Sequence, residues 1–270
     1  MIRATTPPYY IFQLPTGETA WMPADIELRV PAKSSIQANL LHFLVSIPWD
    51  DRYLELVDPD YRDFFQTVLP YLHFRTTDVH VATCLPFVKE LLLAERETVD
   101  EQVIYLAFIL HDVGWSQMTE KEIAASLGVE GLALSGSAAS PKARHTVLGE
   151  ELAQRILRKY PFQKPLTTRQ MDMICQAILY HDKPQELETM GKIPAEVKIV
   201  CDVDHLWSFT HPNFWQDTIR KGQEPEIYHK HLAADLDDYF VGEAGRRKAR
   251  RMLEDRMVEI KTLEEWIAQH

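Results

Sequence analysis

The chain is poor in cysteine, in long apolar runs and in positive charge, and each shortage removes a class of protein. Three cysteines, Cys84, Cys175 and Cys201, are scattered among apolar neighbours across 270 residues. An odd count at such spacing excludes a disulfide framework and a structural CxxC zinc site, and suits reduced thiols in a core. The longest apolar run, Val103 to Leu110, is far short of the roughly 20 residues that a membrane-spanning helix needs. The first residues, Met1-Ile2-Arg3-Ala4-Thr5-Thr6-Pro7-Pro8, lack the apolar centre of a secretory signal, so a cytoplasmic protein is expected. Lys and Arg total 29 against 40 Asp and Glu, a net charge of −11. That balance argues against sequence-independent binding to nucleic acid or an anionic membrane, and points to a small diffusible substrate. No GxGxxG, P-loop or GxSxG sequence occurs, which removes dinucleotide-fold, P-loop and nucleophile-elbow chemistry.

What is present is an ordinary globular composition, 46% hydrophobic and 26% charged, in a chain long enough to bury a full core without a structural metal. Any metal would therefore serve chemistry. Residues 1–35 carry Pro7, Pro8, Pro15, Pro23 and Pro31, and the run Tyr10 to Leu14 leads into the turn signal Pro15-Thr16-Gly17. This predicts a short hairpin or extended arm. From residue 36 onward helical spacing dominates and no period-two strand pattern appears, so the fold class is all-α. Helices are expected near 78–94, 100–112, 144–159 and 167–182, then one opened by Pro194 and two more before the end. Between 118 and 144, Gly128, Gly131 and the stretch Leu134 to Pro141 read as a loop able to act as an active-site lid.

Five helices carry ligand-type side chains on apolar faces. The spacing places His80, His145 and His181 inward on their stripes, delivers His111-Asp112 at the end of an all-apolar helix, and sets Asp204, but not Asp202, on the face of Val197, Val200 and Cys201. One inward histidine is ordinarily a hydrogen-bonded core residue. Four imidazoles with two carboxylates are different, because buried carboxylates cost several kcal/mol each unless a cation compensates. One or two divalent ions supply the simplest compensation. His229-Lys230-His231 and the basic run Arg246 to Arg251 are read as solvated surface.

The ordered set Asp78-Val79-His80-Val81, Ile109-Leu110-His111-Asp112-Val113-Gly114, Arg144-His145-Thr146, Tyr180-His181 and Val203-Asp204-His205-Leu206 resembles the HD-domain superfamily of metal-dependent phosphohydrolases, over about Arg75 to Phe209. The spacings of 31, 34, 36 and 23 residues between successive ligands each leave room for a helix and a return. The resemblance implies an HD-domain helical bundle at 36–270, with a metal-binding core at about 75–209 and C-terminal helices at 210–270, preceded by the arm at 1–35. It further implies that His80, His111 and Asp204 hold one ion, His145 and His181 another, and Asp112 bridges them. Mixed nitrogen and oxygen ligation without thiolate suits Fe, Mn, Co, Ni or Zn.

The activity so implied is hydrolysis of a phosphate ester, as a phosphomonoesterase or phosphodiesterase, on a nucleotide or another small phosphorylated metabolite. Asp112 and Lys183 are the expected catalytic groups, and Arg75 and Lys183 the expected substrate-binding cations. The Gly-Tyr-Pro segment of cyclic-dinucleotide phosphodiesterases is missing. The same ligand set also resembles the mixed-valent di-iron oxygenases of the superfamily, and a non-catalytic nucleotide-binding module is the third reading.

Overall fold

The computed structural model describes residues 9–13, 19–23 and 49–269, apart from 96–97, 127–139, 190, 192 and 222. Within the expected arm, β1 (Tyr9–Gln13) and β2 (Thr19–Pro23) pair antiparallel, with Tyr9 opposite Pro23 and Gln13 opposite Thr19. The two strands flank the predicted turn, which itself lies outside the described residues. Everything else that is described is helical, and no described helix is long and apolar enough to cross a membrane. The elements run α1 (Pro59–Val68), α2 (Thr77–Ala94), α3 (Glu101–Leu110), α4 (Glu120–Ala125), α5 (Pro141–Lys159), α6 (Thr168–Tyr180), α7 (Pro184–Thr189), α8 (Ala195–Leu206), α9 (His211–Lys221), α10 (Pro225–Ala234), α11 (Leu236–Tyr239) and α12 (Glu243–Gln269). Most of the expected lid lies outside the described residues, α4 being the part that is seen. Beyond the polar stretch near Pro225, three described helices stand where two were expected, because α10 stops at Asp235 and the backbone is extended at Phe240.

α3 is the axis of the bundle. Every side chain from Val103 to Leu110 is buried, each worth about 1.5–3 kcal/mol for the larger aliphatics and phenylalanine. It packs against α1, α2, α6 and α8. Its start is fixed by Asp100, whose carboxylate caps the amide of Val103. The same carboxylate accepts from the Gln170 side chain at 2.9 Å, and the Asp100 amide donates to Glu196 at 3.0 Å. Gln170 is also half of a capping box with Thr167. One polar tie thus gathers the N-terminal ends of α3, α6 and α8. Counting about ten residues onward, roughly 15 Å at 1.5 Å per residue, brings all three to a common level at their other ends. That level carries His111, His181 and Asp204.

The chain leaves α3 through Asp112, at φ −103° and ψ 3°, into a 3-10 turn at Val113–Gln117 that lies against α5. Gly114 makes this approach possible. A Cβ there would sit 1.9 Å from the His145 carbonyl oxygen and 2.6 Å from the Gly149 nitrogen, both backbone atoms that cannot step aside. Gly114→Ala is therefore expected to destabilise the protein by about 3 kcal/mol, the upper part of the ordinary range for overpacking. Urea unfolding checks this, and an unchanged midpoint would show that the turn has room the structure denies it.

Candidate metal centre

α3 and α6 end alike. His111 and His181 are the C-cap residues of their helices, with φ, ψ of −57°, −34° and −55°, −36°, and each is followed by an aspartate, Asp112 and Asp182. Each imidazole sits by Nδ1 against the carbonyl three residues back, Phe108 at 2.6 Å and Ile178 at 2.7 Å. A carbonyl can only accept, so Nδ1 holds the proton of the neutral ring and Nε2 presents a lone pair. Both Nε2 atoms point into the same space. For the neutral ring this is the tautomer a metal requires, and the backbone carbonyl selects it.

His80 from α2 and His145 from α5 complete the ring of imidazoles, and the carboxylate of Asp112 lies between them. Its Oδ2 is 3.3 Å from His80 Nδ1 and 3.5 Å from His111 Nε2. Its Oδ1 is 3.4 Å from His145 Nε2 and 3.8 Å from His181 Nε2. Asp204 Oδ1 stands 3.3 Å from His80 Nε2 and 3.2 Å from His111 Nε2, and His145 Nε2 is 3.2 Å from His181 Nε2. Three triads of ligand atoms result: His80, His111 and Asp112; Asp112, His145 and His181; and His111, His181 and Asp204. All six residues expected from the sequence are thus brought together.

The residues fit a cation on two observations. Nε2 of His80 and of His111 are buried yet make no well-formed hydrogen bond, although a carboxylate oxygen is close. Atoms that converge without bonding one another are arranged around a shared point. Charge agrees with geometry. Burial disfavours a charged His111, but Asp112 and Asp204 outweigh it and raise its pKa to about 9. Burial likewise opposes ionisation of Asp112 and Asp204, and the surrounding imidazoles still hold both well below the usual carboxylate range. For His181 burial prevails, reinforced by the charge of His111, and its pKa falls to about 4. The cluster draws in positive charge while keeping one imidazole neutral. The C-terminal ends of α3 and α6 add their negative dipole ends to the same place.

Among the described residues a polar cavity of about 200 Å³ opens onto this cluster, and Arg75, Lys142, Asp182, His205, Trp207 and Asn213 are among the residues that line it. Arg75 reaches it from a strained turn. Arg75 and Thr76 both adopt positive φ, 56° and 64°, a conformation costly for a β-branched threonine and held where surrounding structure demands it. The Arg75 guanidinium lies 4.5 Å over the Trp115 ring. Lys183, expected beside it, is not among the cavity-lining residues. The tight turn that leaves α6 aims Asp182 at the cavity and its successor elsewhere, so Lys183 pairs with Glu186 at 3.7 Å. The cavity lysine is Lys142, 3.7 Å from Asp182.

Asp182 is the residue that sequence reasoning missed. It stands 3.8 Å from His145 Nε2 and forms a further ligand group with Asp204 and His205. Burial opposes its ionisation, but Lys142 and His181 lower its pKa. The repeated His-Asp pair at two helix ends was the available signal.

Asp202, two residues before Asp204 on α8, faces the other way and is buried too. It accepts the amides of Val241 at 2.8 Å and Gly242 at 3.0 Å, in a niche that the missing side chains of Gly242 and Gly245 leave open. Burial raises its pKa to about 7. It anchors the start of α12. Asp202→Ala should therefore speed hydrogen exchange at the amides of 241 and 242 while leaving α3 protected, and equal exchange in both proteins would remove this role.

The family described as HD domain matches residues 88–207, a span that holds His111, Asp112, His145, His181 and Asp204 and begins after His80. No curated protein and no solved structure matches the chain.

Proposed function

From the premise that residues 88–207 are an HD domain, of a superfamily whose members are mostly metal-dependent phosphohydrolases, we propose that this protein hydrolyses phosphate esters of small metabolites at a dinuclear metal centre. The observation that carries the reading is the division of Asp112: one carboxylate oxygen faces His80 and His111, the other His145 and His181. His80, His111 and Asp204 would hold one ion, and His145 and His181 the other, with Asp112 between. Fe, Mn, Co, Ni and Zn all suit these donors.

Bound together, two such ions would acidify a nucleophilic water and polarise the phosphoryl group. The chain supplies the rest. Arg75 has no carboxylate partner among the described residues, so its guanidinium is free to take two phosphate oxygens at once. Lys142, which lines the same cavity beside Asp182, would offset further phosphate charge. Asp182, ionised at neutral pH and on the cavity wall, is placed to accept a proton from the attacking water. The cavity suits a nucleotide's phosphate or a small phosphorylated metabolite, not a polymer.

Protein loaded with Mn, Co, Ni, Zn or Fe and then desalted should retain more than one equivalent by elemental analysis. It should hydrolyse p-nitrophenyl phosphate or bis(p-nitrophenyl) phosphate and lose that activity on chelation. Asp112→Ala should abolish activity and reduce retained metal to less than half that of the parent. A variant that keeps both would place catalysis elsewhere. Iron-loaded protein that consumes oxygen and ignores phosphate esters would instead support the di-iron oxygenase reading.

Asp204→Asn keeps the side chain's shape but removes the anionic oxygen, and should cost metal and most activity. Asp202→Asn should retain the parent's metal content. Exchange of the two phenotypes would show that the wrong carboxylate has been assigned to the centre.

A further inference from the structure

Trp115 occupies an unusual position for a buried tryptophan. It is fully buried, yet it does not belong to the main core of the bundle. It forms a small separate cluster with Met118 and Ile123, against Leu148 of α5. Its indole touches two of the ligand residues, Asp112 and His145. Size alone would explain burial there, but not what its two functional surfaces touch.

The first surface is the N–H. Indole Nε1 donates to Asp112 Oδ1 at 2.9 Å. Oδ1 is the oxygen turned towards His145 and His181, so the bond acts on one half of the centre and leaves Oδ2, with His80 and His111, untouched. A hydrogen bond to a carboxylate is directional and stronger than a neutral one, and it acts most directly on the oxygen that accepts it.

The second surface is the ring face. The imidazole of His145 lies parallel on it, with centroids 4.1 Å apart and planes 12° from coincidence. His145 needs that support more than its counterparts. His111 and His181 are oriented through Nδ1 by backbone carbonyls, whereas Nδ1 of His145 is buried with no hydrogen-bond partner. Ligating histidines are ordinarily held by a bond from the second ring nitrogen. Here a stacked ring stands in for it.

We infer that Trp115 is a positioning residue for the His145–His181 half of the centre, aligning Asp112 Oδ1 through its N–H and His145 through its ring face. This rests on the dinuclear reading above. It predicts an asymmetric effect: loss of the indole should weaken one ion and spare the other. A merely structural tryptophan would affect both ions or neither.

The test is titration of metal-free protein with Co²⁺, read by visible absorption and by elemental analysis after desalting, with thermal unfolding of the metal-free proteins as a control. The parent should take up two equivalents in separable steps. Trp115→Phe keeps a ring against His145 and loses the N–H; its weaker step should fall about tenfold in affinity, the low end for removing a ligand's supporting contact, with the tighter step unchanged. Trp115→Leu, which also loses the ring, should retain one ion only. If the leucine variant does not fold, the phenylalanine variant decides alone. Two ions bound by Trp115→Phe with the parent's affinities, or both weakened equally, would overturn the inference and leave the dinuclear reading standing. A parent that holds no more than one Co²⁺ would overturn both.

Discussion

Two carboxylates, Asp112 and Asp204, sit among four imidazoles where the helices of this bundle end, and much of the structure can be understood from what that arrangement needs. Carboxylates withdrawn from water demand positive charge. Here imidazoles provide part of it, and the two carboxylates raise the pKa of His111 against the effect of its burial. An ion of higher charge would satisfy the same demand with less strain on any one histidine. The helix dipoles of α3 and α6 point the same way, since their negative ends meet at the cluster.

That demand is met only because the scaffold holds the ligands level. The tie among Asp100, Gln170 and Glu196 starts three helices together, and the apolar α3 between them leaves little freedom to slide. Gly114 then lets the turn after α3 lie directly on α5, which brings His145 to the far side of Asp112. A packing feature and a chemical one are thus the same feature. The strained pair Arg75 and Thr76 belongs to this logic as well, since it aims a cation at the cavity from the threshold of α2.

Much of the site was legible because helices write their geometry into spacing. The choice of Asp204 over Asp202 followed from the stripe of Val197, Val200 and Cys201, and Asp204 does stand with His80 and His111. The same spacing said that Asp202 faces away, but not that it is buried, because its niche is built by Gly242 and Gly245 some forty residues on. Lys183 failed for a local reason: after a helix ends, adjacent residues diverge, and the turn gave the cavity to Asp182. Lys142 and Trp115 had no pattern to announce them. One sits at the start of α5 and the other on a 3-10 turn, where periodicity carries no information about direction.

The amino-acid sequence by itself determined the all-α class, the helices that carry the ligands, and the six residues that converge. These follow from interactions within about one helical turn, from apolar periodicity and from capping residues such as Asp100 and Thr167, all of which are local in the chain. Only the tertiary structure decided how those residues face one another. Which oxygen of Asp112 meets which imidazole, which lysine reaches the cavity, what orients His145 and what Asp202 binds all depend on the packing of α3, α5, α6, α8 and the start of α12. Most of these contacts join residues far apart in the chain, Trp115 and His145 by 30 positions and Asp112 and His181 by 69, and no short-range rule carries direction over that distance.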